Sequence, residues 1–106
     1  MSGNDYCIVL TTFAKMDDAK PLVDSLFEKQ LAASVQCFPI QSYYTWKGKI
    51  ENNSEVILFI GTKSRMYKEV EKEIKLNHTY EIPEIIQIPV TNGSDEYLRW
   101  IGDSVK

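Results

Sequence analysis

The amino-acid sequence predicts one α+β domain with the element order β-α-β-β-α-β, the ferredoxin-like pattern, followed by a short C-terminal helix. Three observations support this: two amphipathic helical segments, short runs of strand-forming residues, and two long extended segments separated by Lys47-Gly48. Neither an internal repeat nor a linker interrupts the 106 residues, so we expect a single domain over residues 1–106.

The first strand and the first helix are predicted near the N-terminus. Tyr6–Leu10 is a short apolar run rich in strand formers, which is typical of a central strand covered on both faces. Asp17 or Asp18 can cap the following helix, and Pro21 is tolerated in its first turn. The apolar stripe of this helix has close to a 3.6-residue repeat and consists of Ala19, Leu22, Val23, Leu26, Phe27 and Leu31.

A long β-hairpin is predicted next. Ala33–Trp46 and Lys49–Thr62 form its two strands, and Gly48 suits the tight reversal between them. Pro39 lies inside the first of these strands, and a proline within a strand belongs on a sheet edge or at a bulge. In the ferredoxin-like order the second strand is an edge, so the two predictions agree.

The second helix and the fourth strand follow the hairpin. Ser64 is predicted to cap the helix, and Glu84–Val90 is predicted to be the strand, which Asn92-Gly93 ends. The inward face of this helix consists of Tyr67, Val70 and Ile74.

A terminal helix is predicted over Ser94–Val105. Its inward residues are expected to be Tyr97, Leu98 and Ile101. Tyr97 and Trp100 lie three residues apart, and we interpret them as core residues rather than as a platform for stacking a ligand.

Composition and charge exclude several classes of protein. The formal net charge is -3, and Arg65 and Arg99 are the two arginines, so the basic stripe of a nucleic-acid-binding protein is missing. The longest strongly apolar stretch, Val56–Ile60, falls far short of the ~20 residues that a membrane span needs. Met1–Asp5 has no secretory-signal pattern, and we therefore expect a soluble, cytoplasmic protein.

The two cysteines are expected to be small buried thiols. Cys7 and Cys37 lie in apolar surroundings without CxxC spacing, although a disulfide or a metal pair is the alternative. The first and second strands are not neighbours in the predicted sheet, which argues against a bridge between them.

The hairpin is too long for its own globule. A 14-residue strand spans about 46 Å, whereas a compact chain of this length is roughly 33 Å across. The end of the hairpin would therefore expose Tyr43, Tyr44 and Trp46, with Ile50 behind them. We expect an oligomer that buries these residues, the alternative being a monomer whose hairpin folds back at Pro39.

Several segments resemble the divalent-cation tolerance (CutA) family. The hairpin segment is similar to the pattern Tyr-x-Trp-x-Gly-x-Ile with a downstream Glu, and the segment after the second helix is similar to His-Pro-Tyr-Glu-x-Pro-Glu-Ile. The resemblance covers almost the whole chain in order, at residues 31–34, 42–50, 54–56, 78–85, 89–93 and 97–101.

The resemblance implies a homotrimer of ferredoxin-like subunits whose hairpins reach onto neighbouring copies, with a role in tolerance of copper and other divalent metals. It also implies a cleft between subunits. This cleft would be lined by Tyr80, Glu81 and Glu84, with Trp46 and Lys63 as neighbours. The trimer interface would contain the hairpin residues Tyr43, Tyr44, Trp46 and Ile50.

Four positions depart from the family pattern, and one of them is Ser34, which replaces a Cys. Thr11 and Asn77 stand where some bacterial members have a Cys and the first of two His residues, which are proposed copper ligands. Thr79 replaces a Pro. A lone imidazole is a poor Cu²⁺ site, because Cu²⁺ favours several N, O or S donors.

Two candidate metal sites have ordinary structural alternatives. His78, the single histidine, could ligate a metal or lie at the C-terminus of the second helix as a dipole partner. Glu81 and Glu84 could hold a hard cation through oxygen donors, or pair with lysines and backbone amides.

Three function classes remain in competition. The first is a metal-responsive or scaffold-type trimer that binds divalent cations such as copper weakly or docks a protein partner, with no other cofactor expected. The second is a small-molecule or nucleotide sensor, although no Gly-rich phosphate loop is present. The third is a hydrolase of the acylphosphatase sort, but Thr11–Ala14 supplies no phosphate cradle, and we expect no enzyme.

Overall fold

A computed structural model describes residues 5–106. Its strands and helices follow one another in the predicted order. The expectations for Met1–Asp5 therefore fall mostly outside the described residues. The elements are β1 (Tyr6–Phe13), α1 (Met16–Glu28), β2 (Ser34–Trp46), β3 (Lys49–Lys63), a 3₁₀ turn (Ser64–Met66), α2 (Tyr67–Asn77), β4 (Ile86–Pro89) and α3 (Asp95–Ser104).

The four strands form one antiparallel sheet in the order β2-β3-β1-β4. The predicted edge position of β2 is confirmed, and Pro39 lies on this edge strand opposite Val56. β1 and β2 are separated by β3, as expected, and both cysteines are free.

One face of the sheet carries the hydrophobic core. Alternate residues along β1, among them Val9 and Phe13, are fully buried together with Leu58 and Ile60 of β3. The helices contribute to the same cluster through Leu22, Leu26, Val70, Ile74, Leu98 and Ile101.

The opposite face of the sheet, here called the open face, is apolar but takes no part in that cluster. Phe38, Ile86 and Ile88 are each more than 40% exposed. The strand register places these side chains on one side: Ile8, Leu10, Phe38, Ile57, Phe59, Ile86 and Ile88. The central strand β1 is nevertheless largely buried on both faces, as expected, because Leu10 and Thr12 on its open-face side are 8% and 4% exposed.

The hairpin continues well past the body of the sheet. β1 ends at the pair Phe13–Val56, and seven further pairs of β2 and β3 form a two-stranded arm over residues 40–55. Lys47 and Gly48 turn the chain at its end with positive φ angles of 51° and 79°. The longest dimension of the molecule is 44 Å, against 26 and 22 Å for the other two, so the arm projects as predicted.

Both predicted helix caps are wrong. α1 begins at Met16, Lys15 occupies its N-cap position without a side-chain bond, and Asp17 and Asp18 lie inside the first turn. Ser64 begins the 3₁₀ turn that precedes α2 and does not cap it. At α3, by contrast, the Ser94 hydroxyl accepts a hydrogen bond from the Tyr97 amide.

Several predicted core positions lie at the surface. Tyr97 and Trp100 are 49% and 45% exposed, because α3 buries its Leu98 and Ile101 side and leaves these rings on the other. Phe27 is also exposed, at the solvent side of α1. Cys37 is exposed because it lies on the edge strand, whereas Cys7 in central β1 is buried as expected.

The fourth strand is shorter than predicted. Ladder pairing with β1 runs from Ile86 opposite Leu10 to Pro89 opposite Cys7, so Glu84 remains outside the sheet. Residues 78–85 therefore form a loop that joins α2 to β4 and crosses the end of β1.

Candidate functional site

The residues predicted to share a cleft lie at three separate places in one chain. Trp46 is at the end of the arm, and Lys63 is the last residue of β3, paired with Tyr6 at the start of β1. Tyr80 is in the 78–85 loop beside the base of the arm. Because the 15-residue β3 spans about 46 Å from Lys49 to Lys63, one chain cannot bring these three places together.

His78 is held in one orientation by two hydrogen bonds and two rings. It occupies the C-cap position of α2, its Nε2 lies 2.7 Å from the Thr12 carbonyl oxygen, and the Tyr80 amide donates to Nδ1 at 3.1 Å. The imidazole stacks on Phe13 at a centroid distance of 4.1 Å and packs against Tyr80 at 4.8 Å. These partners define a neutral imidazole with its proton on Nε2.

This geometry favours the structural alternative for His78 over the metal-ligand hypothesis. Burial lowers the pKa of the imidazole, although the Thr12 carbonyl and the Glu55 carboxylate oppose that effect. Metal ligation would have to displace Thr12 or Tyr80 from a ring nitrogen. The histidine therefore anchors the 78–85 loop to the end of β1.

A buried carboxylate, which sequence reasoning left outside the site, lies beside this histidine. Glu55 is 7% exposed, and the Tyr80 hydroxyl donates to its Oε2 at 2.5 Å. Burial and the adjacent Glu55 charge raise the pKa of the Tyr80 phenol. One sequence signal could have found Glu55. Alternate residues of a strand share a face, so Glu55 lies on the same face as the apolar Ile57 and Phe59, where a charged residue is unusual.

The surroundings of the Tyr80 hydroxyl are aromatic and acidic. Tyr44 and Asp18 are close enough to contribute to the raised pKa of Tyr80, and Asn53 donates to the Tyr44 hydroxyl at 2.5 Å. Glu81 and Glu84 lie exposed in the same loop. The ion pairs formed within residues 5–106 include none of the carboxylates Asp18, Glu55, Glu81 and Glu84. The arm base therefore carries negative charge that attracts cations.

A complete metal centre does not form within one chain. Across residues 5–106, no three His, Cys, Asp or Glu side chains come close enough together to hold an ion. Any cation at the arm base would need water or another copy of the chain to complete its coordination.

Lys63 lies beside a separate cavity at the opposite end of the sheet. The cavity has a volume of about 260 Å³ and is lined by Asp5, Tyr6, Lys63, Ser64 and Arg65. Arg65 donates to the Lys106 carbonyl oxygen at 3.0 Å, while Lys63 forms no ion pair with any residue in 5–106.

The end of the arm is exposed and apolar. Tyr43 is 69% and Ile50 79% exposed, and Tyr44 is 40% exposed. Trp46 is half-buried, with the Lys47 ammonium 5.6 Å from its ring centroid. These are the four residues that the sequence predicts at a subunit interface, and three of them are exposed in one chain.

Residues 7–104, almost the whole chain, match the family described as CutA1 divalent ion tolerance protein. The chain belongs to the CutA1 family. It is 38% identical over 98 residues to the divalent-cation tolerance protein CutA of Archaeoglobus fulgidus, covering 92% of this chain and 96% of that protein. It is 36% identical over 100 residues to the chloroplastic CutA of Arabidopsis thaliana, covering 93% of this chain and 55% of that protein.

Solved CutA structures have the same chain fold. The periplasmic divalent cation tolerance protein CutA from Archaeoglobus fulgidus matches with a TM-score of 0.92 at 37% identity, covering 95% of this chain and 99% of that one. CutA1 from Oryza sativa matches with a TM-score of 0.92 at 31% identity, covering 100% and 98%. The family names describe a tolerance protein rather than a catalyst. Among residues 5–106, no helix is long and apolar enough to cross a membrane.

The family positions that carry proposed copper ligands in some bacterial CutA proteins lie in structural settings here. Thr11 is fully buried in the core, and its hydroxyl is the buried side-chain oxygen without a partner within residues 5–106. The Asn77 amide donates to the Glu73 carbonyl oxygen at 2.9 Å, one turn back in α2. Neither side chain points to an accessible metal site in this member of the family.

Proposed function

We propose that this chain is a cytoplasmic, homotrimeric divalent-cation tolerance protein that binds copper or other divalent cations weakly in clefts between its ferredoxin-like subunits. One observation carries the proposal: Trp46, Lys63 and Tyr80 lie at three distant places along a single subunit. A cleft that contains all three therefore requires more than one copy of the chain.

The apolar surface of the subunit supports the proposed assembly. The open face and the arm together expose large side chains that a stable monomer would rarely leave in water, among them Phe38, Tyr43, Ile50, Ile86 and Ile88. The outer edge of β2 also offers unpaired backbone groups along the whole strand. Packing around a closed symmetry axis would cover both features, and a trimer is the number of copies that the family resemblance favours.

The arm base supports cation binding of modest strength. Glu81 and Glu84 supply exposed carboxylate oxygens in the loop whose Tyr80 contacts the buried Glu55, and these oxygens suit hard or borderline divalent ions. Binding would be weak because each subunit offers few donors to one ion and because both ring nitrogens of His78 already have partners.

A non-catalytic role in the cytoplasm is part of the same proposal. The names of the relatives place the Arabidopsis protein in the chloroplast and the Archaeoglobus protein in the periplasm, and this chain spans 55% of the former. A scaffold that docks a protein partner, or a sensor that binds nucleotides, would use the same clefts. Identifying the ligand that binds there, whether a metal ion, a nucleotide or a protein, distinguishes these functions.

Two measurements test this proposal. Sedimentation at micromolar concentration should give a species three times the 12.2 kDa chain mass. Calorimetry with Cu²⁺, Zn²⁺ and ATP should detect saturable metal binding, which a Glu81→Gln/Glu84→Gln variant weakens and a matched Glu69→Gln variant on the outer surface of α2 leaves unchanged. His78→Ala should reduce binding if the imidazole gives up a partner to the metal.

A well-folded monomer in sedimentation would contradict the assembly. Saturable ATP binding without metal binding would favour the sensor class instead. Equal metal affinity in the wild type and the Glu81→Gln/Glu84→Gln variant would remove those carboxylates from the site.

A further inference from the structure

The buried Glu55 carboxylate has no counter-ion among residues 5–106. It is 7% exposed, and its one side-chain hydrogen bond within residues 5–106 comes from the neutral Tyr80 hydroxyl. Removing a carboxylate from water is costly unless a nearby positive charge compensates it. The neutral His78 beside it does not supply that charge.

Lys49 and Lys63 both lie in β3 on the side of Glu55 and form no ion pair within residues 5–106, and Lys63 is the one in the body of the sheet, opposite Tyr6. Glu55 and Lys63 are eight residues apart in β3, so the alternation of side chains places both on the side of the open face. Lys63 forms no ion pair within the described part of the chain. About 26 Å of strand separates the two residues, so they cannot meet in one subunit.

We infer that Lys63 of a neighbouring copy completes the arm-base site by pairing with Glu55, an inference that rests on the proposed homotrimer. An apolar open face with an acid at one end and a base at the other is complementary to a second copy of itself. In a cyclic trimer each subunit presents its Lys63 to one neighbour and its Glu55 to the other, so all three pairs form. The partner of this surface is therefore another copy of this chain.

The pair would bring two of the three distant cleft residues together. Tyr80 donates to one oxygen of Glu55, and the neighbour's lysine would approach the other, which leaves the carboxylate fixed from both sides. The neighbour's Lys63 would thereby come close to Glu81 and Glu84, and its positive charge would make the electrostatic potential around these carboxylates less negative. The pair would set how strongly a cation or an anion is attracted to the cleft.

A charge-exchange cycle tests the inference directly. Trimer dissociation would be measured by sedimentation on dilution for the wild type, Lys63→Glu, Glu55→Lys and the combined exchange variant. Each single change should raise the dissociation constant by roughly tenfold or more, because it places like charges together, and the combined variant should recover most of that loss. Lys72→Glu, which makes the same charge change on the exposed side of α2, should have little effect.

Milder variants guard against loss of folding. If Glu55→Lys does not fold, Glu55→Gln and Lys63→Met form the cycle, and their effects on dissociation should be less than additive. Additive effects, or a combined exchange variant no better than its parents, would overturn the pair while leaving the trimer in place.

A Mn²⁺ titration distinguishes the Glu55–Lys63 pair from the alternative that a bound metal ion compensates the Glu55 charge. If Glu55→Gln abolishes Mn²⁺ binding while Lys63→Met changes neither metal affinity nor dissociation, the missing charge is a metal ion and the inference is wrong. A wild type that sediments as a monomer contradicts the proposed function itself, whereas intact trimers without coupling contradict the Glu55–Lys63 pair alone.

Discussion

Two buried carboxylates in this protein have opposite surroundings. Glu73 in α2 is 6% exposed, and it pairs with Lys29 at 2.8 Å and accepts from the Ser25 hydroxyl, both in α1. Glu55 at the arm base is equally buried but has Tyr80 as its one side-chain donor within residues 5–106. Within residues 5–106, the chain therefore supplies a cation for the acid between its helices and none for the acid beside its open face.

The difference follows from where each acid lies. α1 and α2 pack side by side on the core face of the sheet, so Glu73 meets polar groups of a neighbouring helix over a separation of 44 to 48 residues. Glu55 lies beyond the last residue of β1, where no helix follows the arm. A carboxylate in the first position stabilises the fold, whereas one in the second is available for binding.

The largest expected effect comes from removing the ring beneath the arm-base site. Phe13 is fully buried and stacks on His78, so Phe13→Ala should lower the free energy of unfolding by about 3–5 kcal/mol through cavity formation. Denaturant unfolding measures this loss. Phe27→Ala, at a position that is 46% exposed, is the matched control and should cost much less. Equal losses in the two variants would show that Phe13 does not support the site.

Deleting one donor from each carboxylate tests the comparison directly. Tyr80→Phe removes the side-chain donor of Glu55 and should cost about 1.5–3 kcal/mol, the range for a hydrogen bond to a charged group. Ser25→Ala at Glu73 should cost less, about 0.5–1.5 kcal/mol, because Lys29 remains. Both losses would be read from denaturant midpoints, and a larger loss for Ser25→Ala would reverse the assignment of roles.

The sequence was sufficient for the order of the elements but not for the site. Pro39 and the 3.6-residue apolar stripes are local signals, and the edge strand and the helices that they predict are present. The contact between Glu55 and Tyr80 joins residues 25 positions apart, and no local pattern specifies it. The loop that carries Tyr80 is positioned by His78 and Phe13, whose stacking depends on how α2 packs against β1.

The wrong burial predictions also arise because a local sequence pattern does not describe contacts between distant elements. Tyr97, Trp100 and Cys37 are large or apolar residues that usually lie inside, and their periodicity does not say how far a neighbouring element extends. α3 is covered on one side and β2 lies at an edge, so these residues face outward in a single chain.

Acid should affect the Glu73 pair before it affects the core. Hydrogen bonds from Lys29 and Ser25 hold the pKa of Glu73 below its ordinary value. Its folded pKa is depressed, so the stability that it contributes is present above an ordinary pKa of about 4.3 and is lost as pH falls below that value. Glu73→Gln should therefore lose less stability than the wild type between neutral pH and pH 3 (about one unit below that reference). Parallel losses in thermal melts would contradict this assignment.

The smallest expected effect is the pH dependence of His78 near neutrality. Burial lowers its pKa, so the folded state prefers the neutral ring, and protonation would turn Nδ1 from an acceptor of the Tyr80 amide into a competing donor. The stability from this histidine is fully present above the ordinary pKa of about 6.5 and is lost as pH falls through the lowered value. His78→Gln should be less stable at neutral pH but should lose less on mild acidification, above the range where Glu73 titrates. Thermal melts at several pH values measure this slope, and an identical slope in wild type and variant would show that the loop does not depend on the neutral imidazole.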